Sequence, residues 1–257
     1  LCVFNFTLMG FILTHPTSKN QDAKIVEKEE KKSFTFVGVG DNLYHNTQYM
    51  CQEQNEYYNF DSYYEMTNKY TQKADLAYIN FETLCIGEEY GLSGYPTFNG
   101  PTEILSSVNK AGFDWWSLSS NHSMDRGVEG LLKQIELIRE NYPDVITTGS
   151  HTSKKDRNRT LVKEINGIKV GFLGYTYGLN GFVLPEDKPW LVDLIDKEQM
   201  KKDMEALSKV SDIQLVSMHW GDEYQTYPND EQQDLANYLN ELGAEVVIGS
   251  HPHVIQP

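Results

Sequence analysis

The chain has 257 residues, of which 39% are hydrophobic and 23% charged, with 16 Tyr, 11 Phe and 4 Trp. That length suits one large domain or two small ones, and the ring content excludes disordered, collagen-like and low-complexity classes. Lys and Arg total 22 against 37 Asp and Glu, a formal net charge of -15, which repels phosphate backbones. The sequence shows no local basic patch, so no nucleic-acid partner is expected.

In chain order, Leu1 to Leu13 carries no charge and is mostly apolar. It reads as a signal-peptide core or the remnant of a membrane anchor, too short as it stands to span a bilayer. Without an Ala-x-Ala-like cleavage site after it, the uncleaved anchor is favoured over a cleaved signal peptide, and a buried strand or helix of the fold is the bland alternative. Residues 14–33 are polar and highly charged and read as a solvated linker. Anchor and stalk together place the globular part, 34–257, on the extracytoplasmic face of the cell membrane. Cys2, Cys51 and Cys85 share no close spacing and suggest neither a disulfide framework nor a thiolate metal knuckle.

From Phe34 onward apolar, β-branched and aromatic runs alternate with stretches of helical period. Strands are predicted at Phe34–Val39, Asp75–Phe81, Phe113–Leu118, Val145–Thr148, Lys169–Leu173, Ile213–Met218 and Glu245–Ile248. Helices are predicted at Thr102–Lys110, Val128–Asn141, Lys197–Lys209 and Glu231–Leu242, with Gly112 and Gly243 placed to terminate two of them. Leu131, Leu132, Ile135 and Ile138 form one apolar stripe. The alternation predicts an α/β domain with largely parallel pairing, with no internal repeat and no second domain.

Five of these strands run directly into residues able to bind metal. They lead to Gly40-Asp41, to Glu82 with Asn80 inside the strand, to Asn121-His122 with Asp125 beyond, to His219 with Asp222 and Glu223 beyond, and to His251-Pro252-His253. In parallel α/β sheets ligands bind beyond the carboxyl ends of strands, so these groups are expected on one rim. Each has a bland alternative: Asp41 or Glu82 as a turn or cap residue, His122 or His219 as a satisfied imidazole. The His-Pro-His segment is the most specific, since two imidazoles two residues apart in extended geometry point the same way. His45 is an additional candidate; His15 and His151 read as surface residues. Carboxylate, amide and imidazole donors without thiolate favour Mn, Fe, Zn or Mg. Their number exceeds what one tetrahedral ion needs, which suits a two-ion site for phosphoryl chemistry.

The motifs Gly40-Asp41, Asn80-Phe81-Glu82, Asn121-His122 with Asp125 and Gly127, His219-Trp220-Gly221-Asp222-Glu223-Tyr224 and Gly249-Ser250-His251-Pro252-His253-Val254 together resemble the CapA family. Its members are poly-γ-glutamate capsule biosynthesis proteins, also called PgsA, a branch of the calcineurin-like metallophosphoesterase superfamily. Phe98-Asn99-Gly100-Pro101 and Gly174-Tyr175-Thr176-Tyr177-Gly178 add to the likeness, which covers nearly all of 34–257. The resemblance implies a four-layer α/β/β/α sandwich, incomplete at its C-terminal end. It implies Asp41, Glu82, Asn121, His219, His251 and His253 as metal ligands, for two divalent ions in the family pattern, with His122 as the acid at the leaving group and Asp125 orienting it. The superfamily's opening Asp-x-His is here Asp41-Asn42-Leu43, so one imidazole is missing.

Three functions follow from this reading. The first is a membrane-anchored component of capsule synthesis or export, with other capsule-synthesis membrane proteins and an anionic polymer as partners. The second is a divalent-metal phosphoesterase acting on another phosphate ester, such as a nucleotide or wall precursor. The third is a non-catalytic scaffold of the same fold. A serine hydrolase is disfavoured, because Gly91-Leu92-Ser93-Gly94 misses the nucleophile-elbow spacing.

Overall fold

The computed structural model describes residues 2–7, 31–52 and 57–257. Its strands are β1 Cys2–Thr7, β2 Ser33–Asp41, β3 Leu76–Asn80, β4 Trp115–Ser117, β5 Ile146–Thr148, β6 Leu161–Ile165, β7 Ile168–Thr176, β8 Ile213–His219 and β9 Val246–Ser250. The helices are α1 Asn46–Met50, α2 Glu65–Thr71, α3 Glu103–Lys110, α4 Gly127–Asn141, α5 Lys154–Arg157, α6 Lys197–Leu207 and α7 Asp230–Glu241. β1 to β5 form one sheet in chain order and β6 to β9 a second. All seven predicted strands and all four predicted helices are present, with ends shifted by a few residues.

The two sheets pack face to face, and period-two alternation sorts their side chains. On β3, Leu76 and Tyr78 enter the inter-sheet core while Ala77 and Ile79 face the helices; on β8, Ile213 and Leu215 point inward and Val216 and Met218 outward. The inter-sheet core joins Phe34, Phe36 and Trp115 to Ile165, Ile168, Val170 and Phe172 of the second sheet. Trp115 lies 4.6 Å from the Tyr78 ring and 5.1 Å from Phe172, centroid to centroid. The outer face of the first sheet is covered by α3 and α4 through Ile104, Leu105, Val108, Leu131, Ile135 and Ile138. The outer face of the second is covered by α6 and α7 through Met200, Met204, Leu235 and Leu239. Helices, sheet, sheet and helices make the four layers that the resemblance implied.

Pairing is parallel from β2 to β5 and from β7 to β9, but each sheet also holds one antiparallel pair, β1 with β2 and β6 with β7. The second is a hairpin absent from the sequence reading. Its two-residue turn is Asn166-Gly167, with φ of 50° and 77°, the left-handed conformations that twist a tight hairpin correctly. The predicted anchor, Leu1 to Leu13, lies outside the described residues except for the backbone of β1, which pairs with β2 from Cys2 opposite Gly38 to Thr7 opposite Ser33. Of the linker, only 31–33 is described, and Ser33 already belongs to β2. Among the described residues no helix is long and apolar enough to cross a membrane.

Phe172 is fully buried between the sheets against Trp115. Phe172→Ala is expected to lower unfolding stability by about 3–5 kcal/mol, measured by denaturant titration, the range for an aromatic deleted from a packed core.

Candidate metal centre

The inter-sheet side-chain rows turn polar as they near the carboxyl ends of the strands. On β3 the row runs Leu76, Tyr78, Asn80, and on β8 it runs Leu215, Ser217, His219. Tyr78 Oη and Ser217 Oγ join the sheets by a hydrogen bond of 2.6 Å. One step further out, Asn80 Nδ2 stands 3.1 Å from His219 Nδ1 and donates to Asp41 Oδ1 at 2.8 Å. Asp41 reaches this position through an irregularity in β2. Gly38 pairs with Tyr78, yet Asp41 pairs with Asn80, so one extra residue bulges from β2 and re-aims the carboxylate.

Glu82 follows β3 and is buried with its Oε1 3.7 Å from His219 Nε2. Asn121 comes from the loop after β4, and its Oδ1 lies 2.9 Å from the same imidazole nitrogen. His251 and His253 arrive after β9. The backbone N–H of His251 donates to both Asp41 carboxylate oxygens at 3.2 Å, and His253 Nδ1 sits 2.9 Å from Asp41 Oδ2. The His219 and His251 rings are 4.8 Å apart. Donor atoms of Asp41, Glu82 and His219 lie within 4.8 Å of one another, as do those of Glu82, His251 and His253. The structure thus brings Asp41, Glu82, Asn121, His219, His251 and His253 to one rim.

One expectation about local geometry fails. The His-Pro-His segment is not extended: His251 has φ of 94° and His253 of 56°, both left-handed. Such conformations in non-glycine residues are strained and are held only where the surroundings over-determine them. Here the His251 N–H bonds to Asp41, the His253 ring to the same carboxylate, and the Pro252 carbonyl accepts from the Tyr224 N–H at 2.8 Å. The imidazoles converge because the loop turns back on Asp41, not because of strand alternation.

His122 lies beside Asn121, and its Nδ1 contacts Asp125 Oδ2 at 2.7 Å. The same carboxylate oxygen accepts the backbone N–H of Phe98 at 2.6 Å, while the Phe98 ring meets the imidazole edge-on at 4.6 Å. His122 is therefore fixed on one nitrogen with Nε2 left for the site. Asn180, on a left-handed turn with φ of 50°, accepts from Asn121 Nδ2 at 3.1 Å and lies 3.5 Å from His122 Nε2. Sequence reasoning missed it; its signal is the Asn180-Gly181 turn. Glu223 was seen only as part of a motif, yet its charge acts on Glu82, His251, His253 and Tyr177. His45 packs edge-on against Phe98 at 5.0 Å, the ring that also meets His122, and it is not among the clustered donors. His151 is corrected from surface to buried: its Nε2 lies 2.8 Å from Asp193, which also pairs with Arg157.

Electrostatics separates these groups. Burial alone would raise the Asp41 carboxyl, but its hydrogen bond to His253 and the nearby imidazoles pull it down to about 2. Burial, then the Asp41 charge, pushes Glu82 well above the usual carboxylate range. Burial lowers His219 to about 3 and depresses His251 as well, so both present neutral lone pairs at neutral pH. His253 is raised by its hydrogen bond to Asp41. Two further features fit a cation. Glu82 Oε1 and His251 Nδ1 are buried without hydrogen-bond partners, and orphaned polar atoms of that kind are costly unless something satisfies them. The donor set is imidazole, amide and carboxylate, suited to a divalent ion.

Comparison with known proteins bears on the fold and the family. A putative 5'-nucleotidase from Staphylococcus aureus, solved in complex with α-ketoglutarate, superposes with a TM-score of 0.56 at 18% identity over 85% of this chain and 45% of that one. A hypothetical protein from Thermus thermophilus gives 0.51 at 18% identity over 85% of this chain and 68% of that one. The fold is of the metallophosphoesterase type. Residues 35–257 match the family described as bacterial capsule synthesis protein PGA_cap. The capsule biosynthesis protein CapA of Bacillus anthracis is 26% identical over 241 residues, 90% of this chain and 57% of that protein. The PGA biosynthesis protein CapA of Bacillus subtilis is 31% identical over 156 residues, 60% of this chain and 40% of that protein. The chain belongs to the CapA capsule-synthesis family and spans about half the length of these relatives.

Replacing both His251 and His253 by Ala is expected to abolish binding of Mn, Zn or Fe, read by elemental analysis after dialysis. Wild-type metal stoichiometry in a folded double variant contradicts the assignment.

Proposed function

We propose that this protein is an extracytoplasmic, membrane-anchored component of poly-γ-glutamate capsule synthesis whose rim of polar residues is a divalent-metal phosphoesterase site. The observation that carries the site is the pair of orphaned buried atoms, Glu82 Oε1 and His251 Nδ1, facing the groups that Asp41 gathers. In this reading Asp41, Glu82, Asn121, His219, His251 and His253 hold one or two divalent ions, drawn from Mn, Zn, Fe or Mg. Such ions supply Lewis-acid stabilisation of charge on a phosphoryl group. Asn80 donates to Asp41 Oδ1 and so helps to orient that carboxylate. His122 carries a proton on Nε2 toward the leaving oxygen, and Asp125 holds Nδ1 so that the ring keeps its orientation. The capsule role rests on the family; the anchor rests on the uncharged segment to Leu13, although Cys2–Thr7 of that segment pairs with β2 in the sheet. Its partners would be other capsule-synthesis membrane proteins and an anionic polymer or a phosphate ester.

Hydrolysis of a panel of phosphate esters by the intact, metal-loaded protein tests the site. His122→Ala is expected to keep bound metal and to slow cleavage by about 10²–10⁴-fold, the range for a lost general acid. The defect should shrink on activated aryl phosphates, whose leaving groups need little protonation. Loss of metal in that variant makes His122 a ligand; bound metal with no cleavage of any ester by the wild type favours a scaffold. Cell fractionation tests the topology: recovery of the complete gene product as free cytoplasmic protein rules the anchor out.

A further inference from the structure

Tyr177 belongs to neither donor group, yet its ring roofs both. It follows β7, and its backbone N–H donates to the His219 carbonyl at 3.0 Å, which ties it to the end of β8. The ring lies parallel to the His219 imidazole, with 8° between planes and 6.3 Å between centroids. Over His251 it is tilted by 45° at 4.7 Å. Asn80, Glu82 and His219 are wholly buried, whereas Tyr177 is 46% exposed and so faces both the site and solvent.

Its hydroxyl lies beside the side-chain amide of Asn121, with the carboxylates of Glu223 and Glu82 near enough to act on it. Asn121 turns Oδ1 to His219 Nε2 and one Nδ2 hydrogen to Asn180, which leaves a second Oδ1 lone pair and its second Nδ2 hydrogen to meet a phenol. A phenol that accepts this hydrogen keeps its own proton to give. A tyrosine hydroxyl keeps its proton at neutral pH and so is a donor there. Among the described residues no hydrogen bond takes that proton. Arg126, next to Asp125, is committed elsewhere, to the carbonyls of Tyr90, Gly91 and Thr97 and to Ser93. At the site mouth the Tyr177 hydroxyl is therefore a neutral O–H donor beside a bed of carboxylates and imidazoles.

We propose that Tyr177 is a substrate-binding residue, its hydroxyl donating a hydrogen bond to a phosphoryl oxygen of a phosphate ester held over His219 and His251. The assignment rests on the phosphoesterase reading. Tyr177→Phe keeps the ring and removes only the donor, so manganese stoichiometry should match the wild type. With inorganic phosphate as the probe and the manganese-loaded intact protein in a calorimeter, its dissociation constant is expected to rise about 10-fold. That is the lower end for one lost hydrogen bond to a charged oxygen. KM for p-nitrophenyl phosphate should rise in parallel. A variant that keeps manganese and binds phosphate as tightly as the wild type overturns the assignment, while phosphate binding by the wild type leaves the phosphoesterase reading standing. A variant that loses manganese also overturns it, because the hydroxyl then serves the metal donors. A wild type that binds manganese but neither binds phosphate nor cleaves the ester brings down the phosphoesterase reading and this assignment together.

Discussion

The face shared by the two sheets is the constraint on which the site depends. Burying Phe36, Leu76, Trp115, Phe172 and Leu215 between them fixes which side of each strand points inward, and a slip of one residue would turn every side chain over. Asn80 and His219 occupy the last inward positions of β3 and β8, so the register that packs the core also sets their contact at 3.1 Å. The Tyr78–Ser217 hydrogen bond marks the change from apolar packing to polar chemistry within the same rows. Core and site are consecutive parts of one packing arrangement.

Asp41 is the hub at which separate segments meet. It accepts from Asn80, from the His251 backbone and from the His253 ring, linking residues of the first sheet to the loop after the last strand of the second. Those bonds hold two left-handed histidines around one proline. Strain at such positions is common where side-chain direction matters more than local comfort. The other side of the site is supported differently. Arg126 and the Asn99 side chain bind the backbone of the 87–97 loop, which delivers Phe98 against His122 and its N–H to Asp125.

A second buried charged network lies away from this rim. Asp193 joins His151 and Arg157, and Arg157 pairs with Asp203 at 2.6 Å, which also accepts from Tyr175 at 2.8 Å. Every charge there has an opposite partner, whereas the rim leaves Glu82 Oε1 and His251 Nδ1 unmatched. That contrast distinguishes a network that closes on itself, and so serves α5, α6 and β7, from one that awaits a ligand.

The sequence by itself determined the order of strands and helices, because short apolar runs and helical apolar periods are local patterns that need no distant partner to be read. It also determined which polar residues end the strands, and so the candidate donors Asp41, Glu82, Asn121, His219, His251 and His253. The β6–β7 hairpin left a local signal in Asn166-Gly167, but the sequence reading missed it because the flanking Leu161–Ile165 alternates too weakly to stand out beside the stronger runs. What only the tertiary structure decided depends on residues far apart in the chain. The bulge that sets Asp41 opposite Asn80, the left-handed turn of His251 and His253, and the burial of His151 each follow from bonds to partners that no local pattern names. Asn180, Glu223 and Tyr177 enter the site for the same reason: loops carry no periodicity, and their positions are fixed by the sheets that they connect.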